Sequence, residues 1–313
     1  MNDLIIIGSG RWTRQIIQNL FYNNKVKNLN CFYKKKNSFF KNWLEKKNFN
    51  ANVKLIKKIP LSKSKFSLAI ICNATSDHFK FAKDMLKKKY NVYIEKPVTL
   101  KSQDARKLLQ LSLKYNRKIF CSNIFNFSEG LKKIFSKIQK KKITEINFIW
   151  HDKFNEFRYG ERKKYDPKTP VYFDVPFHIF SLIDQIFLKD KYLISNIKKI
   201  NFLKNKSLIY FDINKIRITI DLNRHAKKRL RLIKLNENKK NYKINFSSKN
   251  YILRTSKNSL NRDIKYFRDR HAPMHNMFKN IFMLIKKNKA KCRKTSITTI
   301  LKHFYLIEKI IKK

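Results

Sequence analysis

The sequence predicts an α/β protein, with a doubly wound parallel sheet in its N-terminal part and an α+β region on a mostly antiparallel open sheet behind it. Short apolar runs alternate with helical patterns over residues 4–122, which is typical of a parallel sheet covered by helices on both faces. After residue 123, several strand-like runs show period-two alternation, as in a sheet with one solvent-exposed face. We therefore predict two domains, residues 1–122 and 123–313.

The composition indicates folded domains and narrows the choice of partners. A length of 313 residues is enough for two cores, and 42% hydrophobic residues exclude a disordered chain. The net charge of +53 taken alone predicts a nucleic-acid or anionic-membrane partner. Lysine is spread over nearly every segment, however, together with an excess of Asn, Ile, Phe and Tyr, which the composition of an A/T-rich genome explains. We predict no specific nucleic-acid partner and no membrane partner.

The cysteines and the N-terminus indicate the cellular compartment. The four cysteines have neither metal-ligand spacing nor the pattern of a disulfide framework, so we predict no metal site. No apolar run reaches the ~18 residues of a membrane span, and the N-terminus lacks a basic, signal-like region. These features predict a cytoplasmic protein with reduced thiols.

The first predicted strand, Leu4–Ile7, is followed by two of the four glycines of the chain and then by a helical pattern. Glycines at such a turn let the backbone approach a pyrophosphate, which the helix N-terminus attracts. The pattern predicts a dinucleotide-binding Rossmann domain, although Thr13 replaces the third glycine of the fingerprint. An ordinary strand–helix turn is the alternative. The predicted cofactor contacts in this turn are Gly8, Ser9, Gly10, Arg11 and Trp12.

The end of the second strand, predicted at residues 30–33, indicates which dinucleotide binds. An NAD site usually has an acidic residue here that holds the ribose 2′-hydroxyl. No Asp or Glu occurs between Leu4 and Leu44, and cationic and hydroxyl groups suit a 2′-phosphate better. We therefore predict that NADP(H) is favoured over NAD(H), with Tyr33 and Lys34 as contacts.

Two further strands of this domain end in candidate site residues. The strand at 66–72 leads into a loop whose small and polar residues Ala74, Thr75 and His78 are predicted to cap helix 79–89 and to contact the cofactor. The next strand ends at Glu95, and helix 103–115 and strand 118–122 then complete the domain.

Lys96 lies directly beyond that strand end, where ligands bind in parallel sheets. Pro97 stops the strand and restricts the backbone of Lys96. Lys96 is therefore a candidate functional residue. The alternative is a lysine that simply ends a strand in a lysine-rich chain.

The second half contains another candidate pair. Asp174 and His178 lie one helical turn apart if the first turn of the apolar helix at 179–187 includes them, and Pro176 is compatible with such a turn. A carboxylate beside an imidazole fixes its orientation, as acid–base catalysis requires. A structural histidine on an apolar helix is the alternative. The other elements predicted in this half are helix 128–140, strands at 143–150, 198–203, 208–213, 216–222, 230–235 and 242–247, and an amphipathic helix at 297–311.

The G-x-G turn, the loop Ala74–His78, the strand ending Glu95-Lys96-Pro97 and Asp174-x-x-x-His178 together resemble the glucose–fructose oxidoreductase/inositol dehydrogenase (Gfo/Idh/MocA) family. The resemblance covers essentially the whole chain. It implies a Rossmann domain and a substrate domain whose open sheet often mediates homo-oligomers. It also implies that Lys96 contacts the reacting hydroxyl or carbonyl and the nicotinamide ribose, with Glu95 a further cofactor contact. His178 would carry the proton, and Asp174 would orient His178 or the substrate.

The chain departs from the family pattern before and after the histidine. Thr169, Pro170 and Pro176 stand where the family usually has glycines, and Ser181 replaces a common Asp. These departures concern the substrate more than the chemistry. The cationic segment 158–164 is either a contact for a phosphorylated or nucleotide-linked substrate or a solvated loop.

We expect an NAD(P)-dependent oxidoreductase that transfers a hydride between a nicotinamide cofactor and a secondary alcohol or carbonyl of a sugar, cyclitol or sugar nucleotide. Two alternatives remain open: a reductase of another C=O or C=N biosynthetic intermediate, and a non-catalytic, cofactor-binding regulatory protein. The presence of Lys96, Asp174 and His178 together favours an enzyme.

Overall fold

A computed structural model of the chain describes all residues except 1–3, 25, 34–37, 140–141, 159–160, 164, 188–191, 238–239, 249, 258–260, 288–293 and 313. The chain forms two compact units. The first contains Met1–Ile124 and Met274–Phe304, and the second contains Phe125–Pro273 and Tyr305–Lys313. We predicted a domain boundary between residues 122 and 123. Compact units are not necessarily domains that fold independently, so this boundary stays a prediction.

Strands and helices alternate in the N-terminal third and then give way to a long run of strands. The strands are β1 (Leu4–Ile7), β2 (Leu29–Phe32), β3 (Val53–Ile56), β4 (Leu68–Ile71), β5 (Asn91–Ile94), β6 (Ile119–Cys121), β7 (Ile143–Lys153), β8 (Phe157–Arg158), β9 (Glu161–Arg162), β10 (Ile194–Ile200), β11 (Lys206–Ile213), β12 (Ile216–Ala226), β13 (Leu230–Glu237), β14 (Lys240–Asn245), β15 (Asn250–Lys257) and β16 (Asn261–Arg268). The helices are α1 (Arg11–Asn24), α2 (Ser38–Lys46), α3 (Thr75–Lys87), α4 (Ser102–Lys114), α5 (Glu129–Phe135), α6 (Val171–Asp174), α7 (Pro176–Phe187), α8 (Pro273–Lys286) and α9 (Ile297–Lys312).

The first unit is built on a six-stranded parallel sheet in the order β3-β2-β1-β4-β5-β6. Every residue of β1, β4 and β5 is at most 3% exposed, because helices cover both faces of the sheet. The strand order reverses beside β1, so the carboxyl ends of β1 and β4 form a switch point where ligands bind in such sheets. The predicted doubly wound sheet is confirmed.

Helix α8 completes the core of the first unit and was not predicted. Phe278 is fully buried, and its ring lies 5.0 Å from the ring of Tyr93 in β5. Lys118 Nζ donates to the carbonyl oxygen of Leu284 at 3.3 Å. A segment far along the sequence therefore packs on the N-terminal sheet.

The second unit is built on an eight-stranded sheet in the order β10-β11-β12-β7-β13-β14-β15-β16. All neighbouring strands are antiparallel except β7 and β12, which are parallel. Buried residues alternate with more exposed ones along β7 and β11, which confirms the predicted mostly antiparallel sheet with one wetter face. The predicted homo-oligomer through this sheet stays a prediction.

Several predicted boundaries are wrong. The helix expected at 128–140 ends at Phe135, because the Lys137 N–H bonds to the Ile134 carbonyl three residues back, which ends the four-residue helical pattern. The helix expected at 79–89 is α3 and begins four residues earlier, at Thr75. Strands β15 and β16 were not predicted.

The described part of the chain has no helix that is long and apolar enough to cross a membrane. Its His, Cys, Asp and Glu residues form no group that could hold a metal ion. Cys31, Cys72 and Cys121 are buried and carry free thiols.

We expect Gly8→Ala to lower the free energy of unfolding by about 1–3 kcal/mol. Gly8 has a φ of +138°, and an added Cβ would lie 2.8 Å from Thr13 Oγ1 and 3.2 Å from the Asn73 amide nitrogen. Urea unfolding measures the loss, with Gly10→Ala as the matched control because a Cβ there meets no atom within 4 Å. Equal stability of the two variants would contradict the described turn.

Candidate active site

A cavity of about 400 Å³ lies at the switch point of the first unit. It is bounded by the carboxyl ends of β1, β2 and β4 and by the first turns of α1 and α3. Ile7, Gly8, Ser9, Gly10, Arg11, Trp12, Phe32, Tyr33, Cys72, Asn73, Ala74, Asp77 and Phe81 line it. All five residues predicted in the glycine turn are therefore part of one cavity wall.

The glycine turn has the geometry that a phosphate needs. Gly8 donates its N–H to the Phe32 carbonyl at 3.0 Å, which ties the turn to β2. Beside Gly10 there is open space where a side chain would otherwise stand, so a ligand can approach the main chain closely. Helix α1 begins at Arg11 with no acidic residue in its first turn, and its first residues line the cavity, so the positive end of its dipole faces the cavity. These residues fit a dinucleotide.

The end of β2 contributes aromatic walls. Phe32 and Tyr33 line the cavity, whereas the predicted contact Lys34 lies outside the described residues. Asp77 is the acidic residue among the described lining residues, and it comes from α3 and not from the end of β2. Cys72 was not predicted to line the cavity. Burial raises the pKa of its thiol, so it lines the wall as an uncharged group.

His78 joins two loops and does not line the cavity. It is 1% exposed, with Nδ1 2.9 Å from the Pro97 carbonyl oxygen and Nε2 3.1 Å from the Asn73 carbonyl oxygen. Burial lowers its pKa, which favours a neutral ring that donates to one of these oxygens. Thr75 is also buried outside the lining, whereas Ala74 belongs to it. The cofactor contacts predicted for Thr75 and His78 stay predictions.

The turn after β5 contains the buried carboxylate of Glu95 and the partly exposed Lys96. Glu95 is 6% exposed and accepts hydrogen bonds from the Tyr93 hydroxyl and, at 3.3 Å, from the Lys96 main-chain N–H. Burial raises the pKa of Glu95, although Tyr93, Trp12 and Ser122 favour its charged form. The Lys96–Pro97 peptide bond is cis. The buried Glu95 carboxylate therefore holds the main chain of this turn in place. The Lys96 side chain is partly exposed.

The second candidate pair lies in the second unit, where α6 ends at Asp174 and α7 begins at Pro176. Val175 between them has helical φ and ψ, so Asp174 and His178 are one turn apart. The Asp174 carboxylate accepts from Arg224 Nη2 at 2.9 Å. The imidazole of His178 stacks on the ring of Trp150.

A buried cluster of charges next to this pair was not predicted. Asp152 is 2% exposed and accepts from Arg231 and, at 2.8 Å, from Lys163 Nζ. Burial alone would raise the pKa of Asp152, but Arg231 and Lys163 hold it well below its usual range. Burial lowers the pKa of Lys163 to about 8. Within the cationic segment 158–164, the described Lys163 thus serves an internal ion pair, whereas residues 159–160 and 164 lie outside the described part.

The architecture and the cavity define a dinucleotide-binding Rossmann fold. Residues 3–122 match the model of a family described as "oxidoreductase family, NAD-binding Rossmann fold" (Gfo/Idh/MocA). Residues 3–122 are thus similar to the NAD-binding Rossmann part of this family, and the resemblance stated from the motifs is confirmed over that region. A comparison with curated proteins gives no match.

Three solved structures that are similar to this chain over nearly its whole length are described as dehydrogenases or a ketoreductase. One is the UDP-N-acetylglucosamine 3-dehydrogenase GnnA from Acidithiobacillus ferrooxidans, with a TM-score of 0.76, 11% identity and coverage of 98% of this chain and 96% of that one. Another is KijD10, a 3-ketoreductase from Actinomadura kijaniata in complex with NADP and TDP-benzene, with a TM-score of 0.79, 8% identity and coverage of 99% and 98%. A third is the dehydrogenase MviM from Clostridium difficile, with a TM-score of 0.74, 17% identity and coverage of 100% and 99%. At these identities the likeness shows a shared fold.

We expect Gly10→Val to fold like the unchanged protein but to bind NADPH at least about tenfold more weakly, a loss of about 1.4 kcal/mol. The valine side chain would occupy the open space beside the turn, and the cofactor needs that space to approach the main chain of Gly10. Isothermal titration calorimetry measures the affinity, and urea unfolding confirms the fold. Unchanged affinity with unchanged stability would mean that the cofactor does not approach this turn.

Proposed function

We propose that this protein is an NADP(H)-dependent oxidoreductase that interconverts a secondary alcohol and a carbonyl on a sugar, cyclitol or sugar nucleotide. The observation that carries the proposal is the switch-point cavity, in which an open glycine turn and the N-terminus of α1 fit a dinucleotide. The family match over residues 3–122 supports the same cofactor class. The preference for NADP(H) is supported by Arg11 in the lining and by the lack of an acidic residue at the described end of β2.

The chain's own residues are proposed to bind the substrate and move the proton. When bound, the nicotinamide ring supplies or accepts the hydride. Lys96 would hold the reacting oxygen through its ammonium group. The imidazole of His178 would take the hydroxyl proton in the oxidation and return it to the carbonyl oxygen in the reduction. Asp174, already fixed by Arg224, would orient the substrate or the imidazole.

A sugar nucleotide is the substrate class that the comparisons favour. GnnA is described as a UDP-N-acetylglucosamine 3-dehydrogenase, and KijD10 as a 3-ketoreductase in complex with TDP-benzene. A strongly cationic chain also attracts a diphosphate at long range. Neither a different C=O or C=N intermediate nor a purely regulatory role has a comparable observation in its favour.

Turnover tests the proposal. The protein is incubated with NADP⁺ or NAD⁺ and a panel that contains UDP-N-acetylglucosamine, a dTDP-hexose and myo-inositol, and the absorbance of the reduced cofactor is followed. We expect oxidation of one sugar nucleotide, faster with NADP⁺. Saturable cofactor binding without turnover of any member of the panel would favour the regulatory alternative.

A further inference from the structure

We propose that Trp150 is a positioning residue that holds the imidazole of His178 in one orientation, and that Arg231 and Asp152 keep the Trp150 ring in place. The inference rests on the proposed role of His178 as the proton carrier. Trp150, Arg231 and Asp152 lie together on β7 and β13 of the second unit.

The imidazole of His178 contacts two aromatic rings. The Trp150 ring stacks on it with a centroid distance of 5.1 Å and an interplanar angle of 17°. The Phe125 ring meets it edge-on, at 5.1 Å and 83°. A ring that is flat against one neighbour and perpendicular to another has little freedom to rotate about its own side-chain torsions.

The Trp150 ring is itself held by a buried cation. Trp150 and Arg231 are direct cross-strand partners of β7 and β13, and the guanidinium carbon of Arg231 lies 3.9 Å from the centroid of the indole. Arg231 also donates to Asp152, and both side chains of this pair are 3% exposed. The cation–π contact and the ion pair therefore act on the same guanidinium, and they fix the plane on which His178 stacks.

If Trp150 were only a structural residue, its replacement would have a different effect. A core residue that only fills space would affect stability, whatever the orientation of His178. Phe148 provides the matched comparison because it lies two residues earlier on β7, and it is 2% exposed, whereas Trp150 is 8% exposed.

Nuclear magnetic resonance of histidine-labelled protein tests the orientation directly, and His178→Asn identifies the His178 signals by their loss. We expect the ring protons of His178 to be shifted upfield by the Trp150 ring current. The shift should disappear in Trp150→Leu, return in part in Trp150→Phe and persist in Phe148→Leu. His178 signals that are identical in the unchanged protein and in Trp150→Leu would overturn the proposal.

Kinetics with the sugar-nucleotide assay separate this inference from the proposed function. We expect Trp150→Leu to lower kcat by about 10- to 100-fold with unchanged NADPH affinity, and to cause no further loss in a His178→Asn background. An equal loss in both backgrounds would show that Trp150 does not act through His178. A different outcome is that His178→Asn keeps full kcat although the unchanged protein shows the ring-current shift. The proposed catalytic role of His178 would then be wrong, and the stacking of His178 on Trp150 would still be supported.

Discussion

Replacing Lys96 with methionine is expected to lower kcat by about 10²- to 10⁴-fold, the contribution typical of a positioned proton-donating or proton-holding group. The affinity for NADPH should change much less than kcat, because Lys96 is not among the residues that line the dinucleotide cavity and its predicted ribose contact is one of many cofactor contacts. Methionine keeps most of the length of the side chain and removes its charge. Steady-state kinetics and calorimetric titration of the same preparation measure the two effects separately.

Lys101→Met is the matched control for this variant. Lys101 is exposed, precedes α4 and loses the same charge five residues further along the chain. A Lys96→Met enzyme with the kcat of the Lys101→Met enzyme would remove Lys96 from the catalytic mechanism. The proposal for the cofactor cavity would be unaffected.

Asp152→Asn is expected to lower the free energy of unfolding by about 3–5 kcal/mol at neutral pH, because it leaves buried cations without their counter-charge. Asp152 accepts from Arg231 and Lys163, and its own side chain is 3% exposed. Asp263→Asn is the control, since Asp263 pairs with Lys265 at 2.9 Å but both side chains are more than half exposed. Such a surface pair contributes about 0–1 kcal/mol.

The effect of Asp152→Asn should also depend on pH. The ion pairs hold the pKa of Asp152 below its unfolded value of about 4, so its contribution is fully present above that pH. It is lost as the pH falls toward the lowered pKa of the folded state. Urea unfolding at pH values on either side of about 4 should therefore give a smaller difference between variant and parent at the acidic end. A difference that is independent of pH, or smaller than that of Asp263→Asn, would contradict the described cluster.

The parts of the fold that could be predicted depend on local patterns. The continuous apolar runs of β1, β4 and β5 and the adjacent Gly8 and Gly10 indicated the parallel sheet and its cavity because each signal lies within a few residues. Strands β15 and β16 were missed because their residues are mostly polar and gain their stability from pairing with neighbouring strands. Helix α8 was missed although its apolar residues have helical spacing, and its place in the first unit depends on packing against β5.

For the site residues too, local sequence patterns predict the residue type, and long-range contacts determine its partners. His78 was predicted in the loop after β4 but lies in the first turns of α3, and both atoms that its ring contacts are main-chain oxygens, one of them nineteen residues away. The pairing of Trp150 with Arg231 depends on the register of two strands that are about eighty residues apart in sequence, and no local pattern encodes it. Single-residue chemistry could thus be inferred from the sequence, whereas the partners that orient each residue required the folded chain.

The central claim is that the first unit binds a nicotinamide dinucleotide. Trp12 lines the cavity, so its fluorescence reports on occupancy when NADPH and NADH are titrated separately. Moderate salt is needed, because a protein with a net charge of +53 attracts any phosphate. We predict saturable quenching by NADPH, weaker binding of NADH, and weaker binding of both dinucleotides in Gly10→Val. No saturable response to either dinucleotide would contradict the account.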